Sequence, residues 1–199
     1  EDIKCFDPAM GSGHILVYMF DVLHEIYSKA GYVNRDIPRL IIENNLYGLD
    51  IDDRAYQLAA FSVVMKALEY YPRFLRQIET DGLKLNLASI QETNQLTEED
   101  IVYLAGEENG KVYEKTKAFI EQFEDAKSIG SLIKLIIEDT DYLENRLTEI
   151  KSAPAEELFA DDKREHLLNF LPKLIKQTKI MRETYDILVT NPPYMSSRS

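Results

Sequence analysis

Two short stretches hold the residues whose types and spacing suit chemistry. Near the start, Phe6-Asp7-Pro8-Ala9-Met10-Gly11-Ser12-Gly13-His14 sets a carboxylate ahead of two glycines. Near the end, Tyr185-Asp186-Ile187-Leu188-Val189-Thr190 runs into Asn191-Pro192-Pro193-Tyr194. An apolar run, Ile3 to Phe6, precedes the glycines and an amphipathic run, Ile15 to Ala30, follows them, so they sit where a strand turns into a helix. Ligands bind at such turns in open α/β sheets. Gly11 and Gly13 permit backbone conformations and a close approach that a Cβ blocks, while Ser12 and the helix-start N–H groups can donate to a ligand.

The spacing is not that of a dinucleotide cradle, because His14, Ile15 and Leu16 follow Gly13 with no third glycine. Asp7 before the loop repels a diphosphate but attracts the ammonium group of an amino-acid-bearing cofactor. That chemistry points to S-adenosyl-L-methionine. A carboxylate capping the strand end is the plainer structural reading of Asp7.

Asp7-Pro8-Ala9-Met10-Gly11-Ser12-Gly13 together with Asn191-Pro192-Pro193-Tyr194 resembles the N6-adenine DNA methyltransferases of the γ arrangement. The long middle segment, and Met195-Ser196-Ser197-Arg198 after the tyrosine, look like the large enzymes of restriction or phage-exclusion systems. The resemblance implies a Rossmann-like α/β methyltransferase sheet, here about four parallel strands, carrying a large helical insertion. It implies that Asp7, Ala9, Gly11 and Gly13 form the cofactor loop, that Asp50 holds the ribose and that Ile51 lies beside the adenine ring. Ser89, with Gln91 and Glu92 as alternatives, is expected to touch the adenine, although none of the three matches the family pattern cleanly.

The resemblance also assigns chemistry to the last motif. An exocyclic amine is a weak nucleophile because its lone pair is delocalised into the ring, so it needs acceptors for both protons when it attacks a methyl group. The Asn191 side-chain oxygen and the Pro192 carbonyl supply two acceptors. Pro192 and Pro193 stiffen the turn and preorganise them. Tyr194 offers a flat face on which an extruded base stacks. No general base with a tuned pKa is required, since the product ammonium is acidic.

Among the elements that must position these motifs, the helix through Leu16, Met19, Phe20, Leu23 and Tyr27 is expected to stop at Gly31. A short helix follows from Asp36 through Ile42, with Pro38 in its first turn and Asn44-Asn45 breaking it. Leu46 to Ile51 reads as the second strand and ends in the Asp50 carboxylate. Asp52 or Asp53 then caps a long apolar helix running from Arg54 to Tyr70, whose aromatics are expected in the core. Thr80-Asp81-Gly82 reads as a turn and Leu83 to Ile90 as the third strand. Helices are expected from Thr97, over Val112 to Ala126, Leu132 to Ile137, Tyr142 to Ile150 and His166 to Met181, before a fourth strand from Tyr185 to Thr190. So much helix exceeds one crossover. The reading is therefore residues 1–92 as the cofactor-binding half, 93–181 as the helical insertion and 182–199 as the catalytic-motif strand and loop.

At 199 residues, with 45% hydrophobic and 29% charged residues, the chain suits one soluble domain with an insertion. No apolar run suits a membrane span and the start lacks the basic region of a signal peptide. Cys5 is the only cysteine and His14, His24 and His166 are scattered, so no metal site is expected and a reducing, cytoplasmic setting fits. The net charge is −12, and residues 91–180 hold 12 Lys or Arg against 20 Asp or Glu. Phosphate contacts dominate nucleic-acid affinity, so double-stranded DNA is expected to be gripped by parts of the protein beyond this chain, with defence-system proteins as further partners. Lys173, Lys176 and Lys179 share a helical spacing that reads as a solvated face. The chain is expected to be a fragment, holding roughly half of a catalytic domain and inactive alone. Two other functions share these features: RNA guanine-N2 or glutamine-amide methylation, which use the same Asn-Pro-Pro-Tyr chemistry, and a non-catalytic helical interaction module on a cofactor-binding scaffold.

Overall fold

Four short parallel strands form one sheet in the computed structural model, which describes residues 2–137, 139–152 and 158–191. β1 (Cys5–Asp7) pairs with β2 (Leu46–Asp50), β2 pairs with β3 (Asn86–Ser89), and β4 (Ile187–Leu188) lies on the free side of β1, giving the order β3-β2-β1-β4. Parallel neighbours need crossovers. α1 (His14–Lys29) carries the chain from β1 to β2, and α3 (Asp53–Tyr70) carries it on toward β3. Between α1 and β2 lie α2 (Ile37–Leu40), with Pro38 in its first turn, and a wider helical turn over Ile41–Asn45. α4 (Phe74–Asp81) precedes β3, so Thr80 and Asp81 end a helix where a turn was expected.

The apolar stripes explain the packing. Leu16, Met19, Phe20, Leu23 and Tyr27 of α1 are all buried, as their spacing predicts. They meet Ala59, Val63 and Ala67 of α3, together with Leu46, Leu87 and Phe74. The buried stripe of α3 is thus built of small and β-branched residues. Phe61, at 62% exposed, departs from the expectation that the aromatics of this helix are core, whereas Tyr56 and Leu68 pack partly buried against the core and the Tyr70 ring stacks on Phe20.

By internal contacts the chain divides into two units, residues 1–89 with 184–199 and residues 90–183. The second unit is helical. α5 (Glu98–Ala105) begins with a capping box in which Thr97 Oγ1 accepts from the Asp100 amide and Asp100 Oδ2 accepts from the Thr97 amide. α6 (Lys111–Glu121), α7 (Ala126–Ile129), α8 (Asp141–Ser152) and α9 (Leu158–Met181) follow. Phe119, Phe123, Leu143, Leu167, Leu171 and Leu174 are central to its core.

Residues Leu132–Ile137 do not form the expected helix. Past a tight turn at Gly130–Leu132 the backbone is irregular, and Leu132 and Ile136 are 85% and 77% exposed. The Gln122 side chain takes over as acceptor, with Oε1 receiving the Ile136 and Ile137 amides at 2.9 and 3.0 Å. Those amides therefore have no need of a helix. Lys176 also departs from the expected solvated face: it is half-buried, and burial lowers its pKa.

Candidate active site

The site is built where β1, β2 and β4 end. Asp7, the last residue of β1, is fully buried. Its Oδ1 accepts from the Ala9 amide at 3.1 Å, whereas Oδ2 has no hydrogen-bond partner among the described residues. Burial raises the Asp7 pKa above the ordinary carboxyl value. The Ala9 amide, the Thr190 hydroxyl and His14 pull it back down, and the neighbouring Asp50 charge pushes it up.

The loop after β1 is held from both sides. The Met10 amide donates to Leu49 O at 3.0 Å, and the Gly13 amide donates to Met10 O at 2.8 Å. The Gly11 amide donates to Asp50 Oδ2, also at 2.8 Å. The two glycines serve different ends. Gly11 has φ +51° and a Cβ there would meet no heavy atom within 4 Å, so that side of the loop is open to a ligand. Gly13 has φ +83° and a Cβ there would lie 2.9 Å from Ala59 Cα, so its small size lets α1 start hard against α3. Gly13 stands at the cap position of α1 without a side-chain cap, which leaves the first-turn amides of this helix to other acceptors.

Asp50 closes β2, and its Oδ1 accepts from the Asp52 amide at 3.0 Å. Helix capping falls to Asp52, whose Oδ1 accepts from the Arg54 amide at 2.8 Å. Asp50 is therefore a loop-organising carboxylate beside Gly11, with further lone pairs on both oxygens. Ile51, next along, is 50% exposed. Ser89, at the end of β3, is buried and its hydroxyl donates to Asp53 Oδ1.

β4 brings the second motif beside the first. Cys5 pairs with Ile187 and Phe6 with Leu188, and the Val189 amide donates to Phe6 O at 3.0 Å. The Phe6 and Tyr185 rings stack at 4.3 Å, and Tyr47 meets Tyr185 edge-on at 5.1 Å, which fixes the strand that leads to Asn191. Asn191 is exposed, three residues past β4. Pro192, Pro193 and Tyr194, the remainder of the expected acceptor motif, lie outside the described residues.

Two residues here escaped the sequence reading. Asp53 meets Ser89, and Thr190 brings close to Asp7 a buried hydroxyl oxygen that has no full hydrogen bond among the described residues. Neither carried a signal in the sequence. Asp53 read only as one of two capping candidates, and Thr190 as a β-branched residue suited to a strand.

A glycine turn after β1, a carboxylate at the tip of β2 and an Asn-Pro-Pro-Tyr sequence after the edge strand define a Rossmann-like methyltransferase sheet. Comparison with known proteins specifies the family. Residues 44–199 match the model of the Eco57I restriction-modification methylase, and the chain belongs to that family. It is 35% identical to the adenine-specific methyltransferase BrxX of Escherichia coli O9:H4 (strain HS), over 100% of this chain and 18% of that protein. It is also 35% identical to the adenine-specific methyltransferase PglX of Lacticaseibacillus casei (strain Zhang), over 99% of this chain and 16% of that protein. The chain thus spans less than a fifth of the length of these relatives. The family expected from the two motifs is the family found.

Proposed function

We infer that this chain carries the cofactor pocket and the acceptor motif of an S-adenosyl-L-methionine-dependent methyltransferase acting on the N6 amino group of adenine in DNA, within a restriction or phage-defence system. The observation that carries this reading is the fully buried Asp7 with its unpartnered Oδ2, beside the open face of Gly11 and the Asp50 carboxylate. An uncompensated buried carboxylate oxygen is costly. A ligand ammonium group satisfies it, and the ribose hydroxyls have the Asp50 oxygens as acceptors. These residues fit the nucleoside and amino-acid ends of that cofactor, which supplies an electrophilic methyl group when bound.

In this reading Asp7 fixes the amino-acid end, Asp50 the ribose, and Ile51 covers one face of the adenine. Ala9, Gly11 and Gly13 shape the loop around them, and Ser89 with Asp53 offers polar groups at the adenine edge. Asn191 and Pro192 accept the protons of the attacking amine and Tyr194 stacks on the base. The helical unit is read as an insertion that serves as a docking surface. Its acidic balance suits a protein partner better than a phosphate backbone. The grip on double-stranded DNA then falls to the remainder of a protein as long as the relatives.

Transfer of labelled methyl groups from S-adenosyl-L-methionine to duplex DNA tests the reading, run with the full-length protein and its Asn191→Ala variant. The expected result is N6-methyladenine with the parent protein and at least a hundredfold slower transfer with the variant. Labelling of an RNA or protein acceptor in place of DNA overturns the substrate assignment.

A further inference from the structure

Among the described residues, two buried side-chain atoms at the same end of the sheet have no hydrogen-bond partner: Asp7 Oδ2 and Thr190 Oγ1. They come from neighbouring strands. Asp7 closes β1, and Thr190 follows β4 directly before Asn191. Pairing of Phe6 with Leu188, continued by the Val189 amide on Phe6 O, brings the two strand ends together. The Thr190 hydroxyl is near enough to act on the Asp7 carboxylate as a hydrogen-bond donor and pull its pKa down, although the pair falls short of full hydrogen-bond geometry in this structure.

Buried polar atoms are nearly always satisfied, and each exception is costly. A strand end does not need the hydroxyl, because valine has the same branched shape and equal or better strand propensity. The hydroxyl therefore has another use. It has one proton to donate and lone pairs to accept with, the carboxylate only accepts, and an ammonium only donates. The three groups are mutually complementary.

We propose that Thr190 is a positioning residue that ties the cofactor end of the site to the acceptor end. Its hydroxyl donates to Asp7 Oδ2 and accepts from the ligand ammonium that settles there, and through one peptide unit this sets the bearing of Asn191. The proposal rests on the reading of Asp7 as the ammonium anchor. Charges facing Asp7 come from His14 at the start of α1 and Asp50 at the end of β2, which act in opposite directions. Thr190, after the Ala9 amide, is the second neutral group that favours the ionised carboxyl against the burial that raises its pKa.

The test compares wild type, Thr190→Val and Thr190→Ser. The Asp7 carboxyl is titrated by carbon NMR without cofactor, its signal assigned with Asp7→Asn, and S-adenosyl-L-methionine binding is measured by calorimetry from pH 5 to 9. Thr190→Val is expected to raise the Asp7 midpoint, to bind cofactor about tenfold more weakly, and to move the low-pH loss of binding to higher pH, by loss of one charge-assisted hydrogen bond. Thr190→Ser is expected to restore all three. If Thr190→Val does not fold, Thr190→Ala replaces it. An Asp7 midpoint that is the same in every variant overturns the proposal. Wild-type affinity retained by Asp7→Asn overturns the ammonium reading instead, and the NMR arm tells the two failures apart.

Discussion

The Asp50 carboxylate reaches across 39 positions of chain to the glycine loop, where its Oδ2 accepts the Gly11 amide at 2.8 Å. The acid that the family resemblance assigns to a ribose is thus a brace for the glycine loop. Asp50→Ala is expected to weaken S-adenosyl-L-methionine binding by ~1–3 kcal/mol, tenfold or more, and to lower Tm as the Gly11 and Asp52 amides lose their acceptor. Calorimetry and a thermal melt read the two effects. Unchanged affinity removes Asp50 from the site.

Asp7→Asn separates stability from function. Burial lifts the folded-state pKa of Asp7 above its ordinary value of 3.8, so the folded chain holds this proton more tightly than the unfolded one. The contribution of Asp7 to stability therefore falls as pH rises from 3.8 through the raised pKa, and above it an ionised buried carboxylate remains as a penalty. Asparagine relieves that penalty. The variant is expected to melt ~2–4 °C higher at pH 7, equivalent to ~1 kcal/mol, with the gain shrinking toward pH 4, while cofactor binding is lost. A lower Tm at pH 7 contradicts this account.

The two loop glycines are expected to respond differently to alanine. Gly13→Ala forces a Cβ to within 2.9 Å of the Ala59 Cα at φ +83°, and should cost roughly 3 kcal/mol or more. Gly11→Ala meets no clash at φ +51° and should cost ~1–2 kcal/mol of backbone strain. Its larger effect falls on cofactor affinity, because the new methyl group stands on the open side of the loop. Urea unfolding alongside calorimetry distinguishes a packing glycine from a ligand-facing one.

In the helical unit, Gln177 is buried and grips the backbone of Gln91 at both ends, Oε1 accepting the Gln91 amide at 2.6 Å and Nε2 donating to its carbonyl at 3.2 Å. Gln177→Leu removes both of these buried hydrogen bonds and should destabilise the protein by ~2–5 kcal/mol. Gln177→Glu keeps the acceptor and loses the donor, so it should fall between the two. Amide exchange at Gln91 reads the effect locally: protection that survives Gln177→Leu rules the clasp out.

Much of this protein was legible before its fold was. The apolar stripe of α1, the proline in the first turn of α2, the strand ending at Asp50 and the capping box at Thr97 are local patterns, and local patterns fix local structure. The helix expected over Leu132 to Ile137 failed because its amides found a distant acceptor in Gln122, which spacing along the chain does not reveal. Phe61 of α3 left the expected core for a similar reason: Gly13 brings α1 hard against Ala59, and the fully buried positions of α3 go to Ala59, Val63 and Ala67.

The sequence by itself determined the chemistry on offer. Two glycines after an acid, an acid closing the second strand, and Asn-Pro-Pro-Tyr after the last strand were enough to point to the methyltransferase family, because each is a requirement of residue type at a short spacing. Only the tertiary structure decided which atoms are left unsatisfied. The pairing of β1 with β4 puts Thr190 beside Asp7, 183 positions away in the chain, and buries the Asp7 side chain and the Thr190 hydroxyl oxygen. Burial and strand order are properties of the folded whole, and they turn an ordinary strand threonine into part of the site.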